Sequence, residues 1–109
     1  MSRPVYRRGE PYARTVRELL RLSLHPEYDA TLDSYKLALV RAVRERITLR
    51  ELKCMTSYYV QKLPMVEIAK ILGINTSTVS RNIHRGEGKL DSLMRLANQI
   101  SPIRFDLSA

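Results

Sequence analysis

The chain has 109 residues, 44% of them hydrophobic, one cysteine, no tryptophan, and a net charge of +8 from 19 Lys+Arg against 11 Asp+Glu. That is one domain's worth of sequence, too short for two sizeable cores and too apolar for a disordered chain. No apolar run is long enough to span a bilayer, the arginine-bearing first 25 residues do not read as a secretory signal, and a lone Cys54 excludes an intramolecular disulfide; a reducing, cytoplasmic setting is expected.

Residues 1–10 read as a flexible basic arm, with Arg3, Arg7, Arg8, Pro4 and Gly9. Residues 11–46 read as an N-terminal helical pair. In the first helix Tyr12, Val16, Leu19 and Leu20 recur at spacings of three and four, and His25-Pro26 ends it. The second starts from a cap at Thr31 or Asp33 and runs to about residue 46, with Tyr35, Leu39, Ala42, Val43 and Ile47 on one face and Leu37 and Val40 broadening it. Thr48-Leu49-Arg50-Glu51 has the form of a capping box, opening a third helix to about residue 62 with Leu52, Met55, Tyr59 and Leu63 on one side and Cys54 in the core. Pro64 precedes a short fourth helix over 65–72, stopped by Gly73. Asn75 or Thr76 caps a fifth through about residue 85. Gly86 and Gly88 weaken its continuation, and a sixth spans 90–100. Ser101-Pro102 ends it, and Ile103, Phe105 and Leu107 alternate in a tail over 101–109, either covering the chain's own core or facing a partner. The fold class is therefore all-α, five to six short helices.

Residues 65–84 carry the strongest functional signal. Two short helices joined by a tight turn need a small residue at their crossing, a permissive backbone at the turn and an apolar plug at the corner; Ala69, Gly73 and Ile74 meet these demands. Val79 and Ile83 pin the second helix to the first. Thr76, Ser77, Ser80, Arg81 and His84 then face outward, with no acid before Glu87. This is the pattern of a helix-turn-helix whose second helix enters the major groove. The basic charge balance agrees, since it favours polyanionic partners.

On these residues the chain resembles region 4 of the bacterial sigma-70 family. The matching features are Ile47-Thr48, Glu51, Cys54-Met55 with Tyr59, Glu67-Ile68-Ala69, Leu72-Gly73-Ile74 and Ser77-Thr78-Val79-Ser80-Arg81. Tyr58-Tyr59 and Asn82-Ile83 are also similar to a small stand-alone family with the same motif, associated with the signal-recognition-particle operon. The resemblance implies a tetrahelical DNA-binding core over 47–100, a recognition helix over 76–85, and contact with RNA polymerase. The 46 residues before the motif leave little room for a DNA-melting region, so a complete initiation factor is not expected.

Arg81 is the base-reading candidate, because a guanidinium can bond guanine bidentately; a phosphate contact is the alternative. Thr76, Ser77 and Ser80 can meet base edges or phosphates, and His84 shares their face. Arg85 and Lys89 are phosphate candidates, Arg50 and Lys53 can touch the flanking backbone, and Arg3, Arg7 and Arg8 can enter a minor groove or follow phosphates. Nothing points to catalysis: His25 and His84 lack partners at metal-ligand spacing, and Gly86-Glu87-Gly88 is no phosphate loop. No enzyme, cofactor, metal, membrane or small-molecule ligand is expected. The leading reading is a sequence-specific double-stranded DNA-binding transcriptional regulator. The alternatives are a sigma-like module docking on RNA polymerase or a regulatory partner, and a DNA-targeting subunit of a phage machine. A homodimer stays open.

Overall fold

The structure, a computed structural model, describes Tyr6 and residues 8–100. Arg3, Arg7 and the tail residues Ile103, Phe105 and Leu107 lie outside the described residues. Among the described residues the fold is all-α: five α-helices, a 3-10 turn and a π-helical turn, without strands. One continuous core runs from Tyr6 to Met94.

Gly9, at φ 87°, turns the chain into α1 (Glu10–Leu24), where Pro11 fits the first turn because no amide donor is needed there. Tyr12, Ala13, Val16, Leu19 and Leu20 are buried along one side, and Arg17 is buried among them. The end of α1 leaves carbonyls without helical partners. Arg44 takes two of them, donating Nε to the Ser23 carbonyl and Nη2 to the Leu22 carbonyl, each at 2.9 Å. The same guanidinium grips Asp29 of the 3-10 turn (Pro26–Thr31) with bonds of 2.8 and 2.9 Å.

Asp33 caps α2 (Ser34–Arg46), its Oδ1 accepting from the Lys36 amide at 2.8 Å. The buried stripe is Leu39, Val40 and Val43; Tyr35, expected on it, is 42% exposed. Position 35 borders an open groove with Leu39, Leu93 and Leu96 instead of entering the core. The capping box opens α3 (Leu49–Met55): the Glu51 amide donates to Thr48 Oγ1 at 3.2 Å and the Thr48 amide to Glu51 Oε1 at 2.9 Å. Glu51 is buried, and Lys89 Nζ reaches both its Oε1 (2.7 Å) and the Arg46 carbonyl (3.0 Å). Burial pushes the Glu51 carboxyl up, but the Lys89 ammonium and the Thr48 amide and hydroxyl outweigh it and hold the group below its usual range.

The third helix does not continue as an α-helix to residue 62. From Thr56 to Val60 it widens into a π turn, with the Gln61 amide donating to the Thr56 carbonyl at 3.0 Å. The Leu63 amide takes the Ser57 carbonyl at 3.0 Å, and Lys62 closes the turn at φ 58°. Two side chains from the N-terminal part satisfy the next carbonyls. Tyr6 Oη donates to Tyr58 O at 2.9 Å, and Arg17 Nε donates to Tyr59 O at 2.7 Å. The rings of Tyr6 and Tyr59 stack at 5.0 Å, with Tyr58 edge-on to both.

A second difference concerns the C-terminal helices. The expected fifth and sixth are one helix, α5 (Thr76–Ile100), 25 residues long and unbroken at Gly86 and Gly88. Two interior glycines cost about 1 kcal/mol each in propensity. The apolar groups beyond them offset this, since Leu90 and Met94 are fully buried and Leu93 nearly so. Gly86 also has a packing reason: a Cβ there would stand 2.1 Å from Met55 Sδ, whereas one at Gly88 would meet nothing.

Two predictions follow from this packing. Gly88→Ala should raise the melting temperature, by up to about 1 kcal/mol of stability. Gly86→Ala should lower it, because overpacking a closed core costs about 1–3 kcal/mol; equal gains at both positions would contradict the close approach of α5 to Met55. The second concerns acid. The Arg44 hydrogen bonds hold Asp29 low, as Lys89 and Thr48 hold Glu51. Both folded-state values lie below the unfolded ones, so this stability is full above about pH 4 and is lost as pH falls through the folded values. Thermal melts should show that loss below about pH 4, and Lys89→Met should be less stable at neutral pH with a shallower acid loss. A melting temperature flat into strong acid would contradict it.

Candidate nucleic-acid interface

The turn between α4 (Met65–Leu72) and α5 is built by backbone chemistry. Gly73 takes the left-handed conformation at φ 67° and ψ 38°. The Ile74 amide then reaches back to the Ala69 carbonyl at 3.0 Å and the Gly73 amide to Lys70 at 3.4 Å, a Schellman closure that consumes the last carbonyls of α4. The Asn75 carbonyl accepts from the Thr78 and Val79 amides at 3.0 and 3.1 Å and so starts α5. Ile68, Ala69, Val79 and Ile83 are buried where the two helices pack. Their burial fixes which side of α5 is left outside.

That outer side carries Thr76, Ser77, Arg81, His84 and Arg85, all exposed, with Ser80 half-buried at its edge. Arg81 Nη2 donates to Thr78 Oγ1 at 3.2 Å, which steadies the guanidinium one turn from its root. His84 Nδ1 lies 3.6 Å from Glu87 Oε1. Glu87, which borders a groove with Ser80 and His84, accepts the Tyr59 hydroxyl; burial first, then this carboxylate, pushes the Tyr59 phenol well above its usual value. The first acid on α5 is therefore engaged by Tyr59 and His84, and the first two and a half turns present hydroxyls, an imidazole and two guanidiniums.

Two other cations, Arg50 and Lys53, are exposed on α3. Lys89 is not on the outer face; it is held by Glu51 and the Arg46 carbonyl. Arg8 is also engaged internally, hydrogen-bonded to Asp91 and lying 3.8 Å over the Tyr12 ring. The structure thus groups Thr76, Ser77, Ser80, Arg81, His84 and Arg85, keeps Arg50 and Lys53 on another helix, and draws Lys89 and Arg8 into the frame.

Sequence reading missed three supporting groups. Thr78 steadies Arg81, and Asn82, buried, donates to the Thr78 carbonyl at 2.9 Å. Arg17 secures the π turn; its only signal in the sequence is a charged residue placed between Val16 and Leu20 on the buried face of α1.

Among the described residues no helix is long and apolar enough to cross a membrane. No curated protein and no solved structure matches the chain. A family model does match part of it, from the last residues of α2 into the middle of α5. Residues 45–91 match the family model "Sigma-70, region 4", a DNA-binding helix-turn-helix domain, and this stretch of the chain is similar to it.

Proposed function

We propose that the protein is a transcriptional regulator that binds double-stranded DNA sequence-specifically, laying residues 76–85 of α5 in the major groove. The observation that carries the reading is the outer side of that segment: exposed hydroxyls and guanidiniums, no acid, and a back face pinned to α4 by Val79 and Ile83. A B-DNA major groove admits one α-helix, and base edges there are read by such groups. Arg81, held by Thr78, reads a base; Thr76 and Ser77, at the helix start where amides point outward, meet phosphate or base edges. Arg85, Arg50 and Lys53 supply charge to the flanking backbone. Lys89 and Arg8 serve the fold, and the domain acts by binding, without catalysis.

A second reading, docking on RNA polymerase, has its own supporting observation. Leu24 and Leu49 are 41% and 67% exposed and line an open groove with Leu52, Lys53 and Leu72. Leu49→Asp would abolish co-elution with the polymerase on this reading while leaving duplex binding unchanged; loss of duplex binding instead would assign Leu49 to the fold.

Selection of binding sites from random duplexes should yield a consensus. On that site Arg81→Ala should weaken binding by about 5- to 150-fold, the equivalent of 1–3 kcal/mol, and on scrambled DNA far less. Equal losses on both would reduce Arg81 to a phosphate contact. The logarithm of affinity should fall steeply with the logarithm of salt concentration; a flat series would overturn the DNA reading.

A further inference from the structure

We propose that His84 meets the DNA backbone as an imidazolium backed by the Glu87 carboxylate, so that binding a duplex takes up a proton from solvent. The proposal rests on the DNA reading above and gives that surface a pH-dependent contact.

The position comes first. On a helix of 3.6 residues per turn, Ser77, Arg81 and Arg85 form one row, and Ser80, His84 and Glu87 form a second, about 60° round from it. With the Arg81 row at the base edges, the second row faces one wall of the groove, and that wall is phosphate. Ser80 is half-buried in this row, whereas the His84 side chain is 48% exposed.

The chemistry comes from behind the imidazole. Glu87 is the first acid on α5, and its side chain is only 13% exposed. The Tyr59 hydroxyl donates to its Oε2, while its Oε1 lies 3.6 Å from His84 Nδ1. Tyr58 and Tyr59 line the same groove from the π turn, and Met65, which brings no charge, lines it from α4. Tyr59 keeps its proton, since its phenol is held well above the usual value. Arg8 and Tyr12 also act on Glu87 from the α1 side, but the Arg8 guanidinium is paired with Asp91 and the Tyr12 hydroxyl donates to that same acid. On its own helix His84 is flanked by Arg81 and Arg85, which oppose a further positive charge until phosphates answer theirs.

A duplex changes this balance. With α5 in the groove, His84 stands between two anions, Glu87 behind and a phosphate in front. Imidazole is the side chain that takes on charge between about pH 5 and 8. An opposite charge on either side favours the imidazolium, and exclusion of water from the contact strengthens both attractions. A neutral ring would instead leave the Glu87 carboxylate and the phosphate with no cation between them.

The test titrates the full chain with its selected duplex between about pH 6 and 8, where the acid-labile contacts of Asp29 and Glu51 are intact. Affinity should rise on acidification by up to about tenfold per pH unit, the limit for one proton taken up. The salt slope should steepen toward pH 6 by up to about 0.9, the share of one further phosphate. His84→Gln should remove both dependences and keep the melting temperature. His25→Gln, at the histidine beside Glu27 and Tyr28, should keep both. Glu87→Gln, which can still accept the Tyr59 hydroxyl, should move the rise to lower pH. Nitrogen-15 spectra of the wild-type rings give a reading that needs no substitution: in the complex His84 should be cationic at a pH where it is neutral in the free chain. Affinity independent of pH in a chain that still selects its site overturns the contact and leaves the recognition helix standing. So does a His84→Gln chain that keeps the dependence, or a ring that stays neutral in the complex at pH 6. A folded Glu87→Gln with the wild-type profile overturns the backing by Glu87. Failure of the wild-type chain to bind any duplex overturns this contact and the DNA reading together.

Discussion

The carbonyls at the end of the π turn have to be bonded, and the way they are bonded joins the two halves of the molecule. Thr56 and Ser57 find amides just beyond the turn, but Tyr58 and Tyr59 have none within reach. Tyr6 and Arg17 supply the donors from 52 and 42 residues away. A buried carbonyl left unmet costs about 1–3 kcal/mol, and a charged donor makes the stronger bond. Arg17 keeps a counter-charge at the surface, its Nη2 lying 3.3 Å from Glu10. The N-terminal helices therefore complete the helix-turn-helix domain: α1 packs on the π turn, α2 on α1 and on α5, and one core results.

The same logic of orphan carbonyls recurs elsewhere. Arg44 closes α1, Gly73 and Ile74 close α4, and Lys89 takes the Arg46 carbonyl at the end of α2. Four helix ends are thus finished by side chains or turns, and each of the four uses a cation or a left-handed glycine. Three cations are spent in this way. Arg17, Arg44 and Lys89 serve the fold, whereas Arg81, Arg85, Arg50 and Lys53 remain exposed.

The helix-turn-helix was legible because each of its demands falls on a local residue type: Ala69 at a crossing, Gly73 at a positive φ, Val79 and Ile83 at helical spacing. The capping box at Thr48 was legible for the same reason. What escaped were features decided across long separations. The glycines at 86 and 88 weigh against a helix locally, and only the packing of Met55 against Gly86 and the burial of Leu90 and Met94 show why it continues. The π turn leaves no local mark either, because its carbonyls are met from α1 and Tyr6. Lys89 looks like a phosphate cation in sequence; that it faces Glu51 depends on the angle at which α5 crosses α3.

The unbroken α5 has a mechanical meaning. Its first turns form the candidate reading surface, while its last ones, with Leu93 and Leu96, border α2 beside Tyr35. A rod of 25 residues is about 37 Å long, and a helix without a hinge transmits rotation undiminished. The aim of Arg81 is therefore set by one stiff element, held at its reading end by Val79 and Ile83 and at its other end by Leu90, Leu93 and Met94.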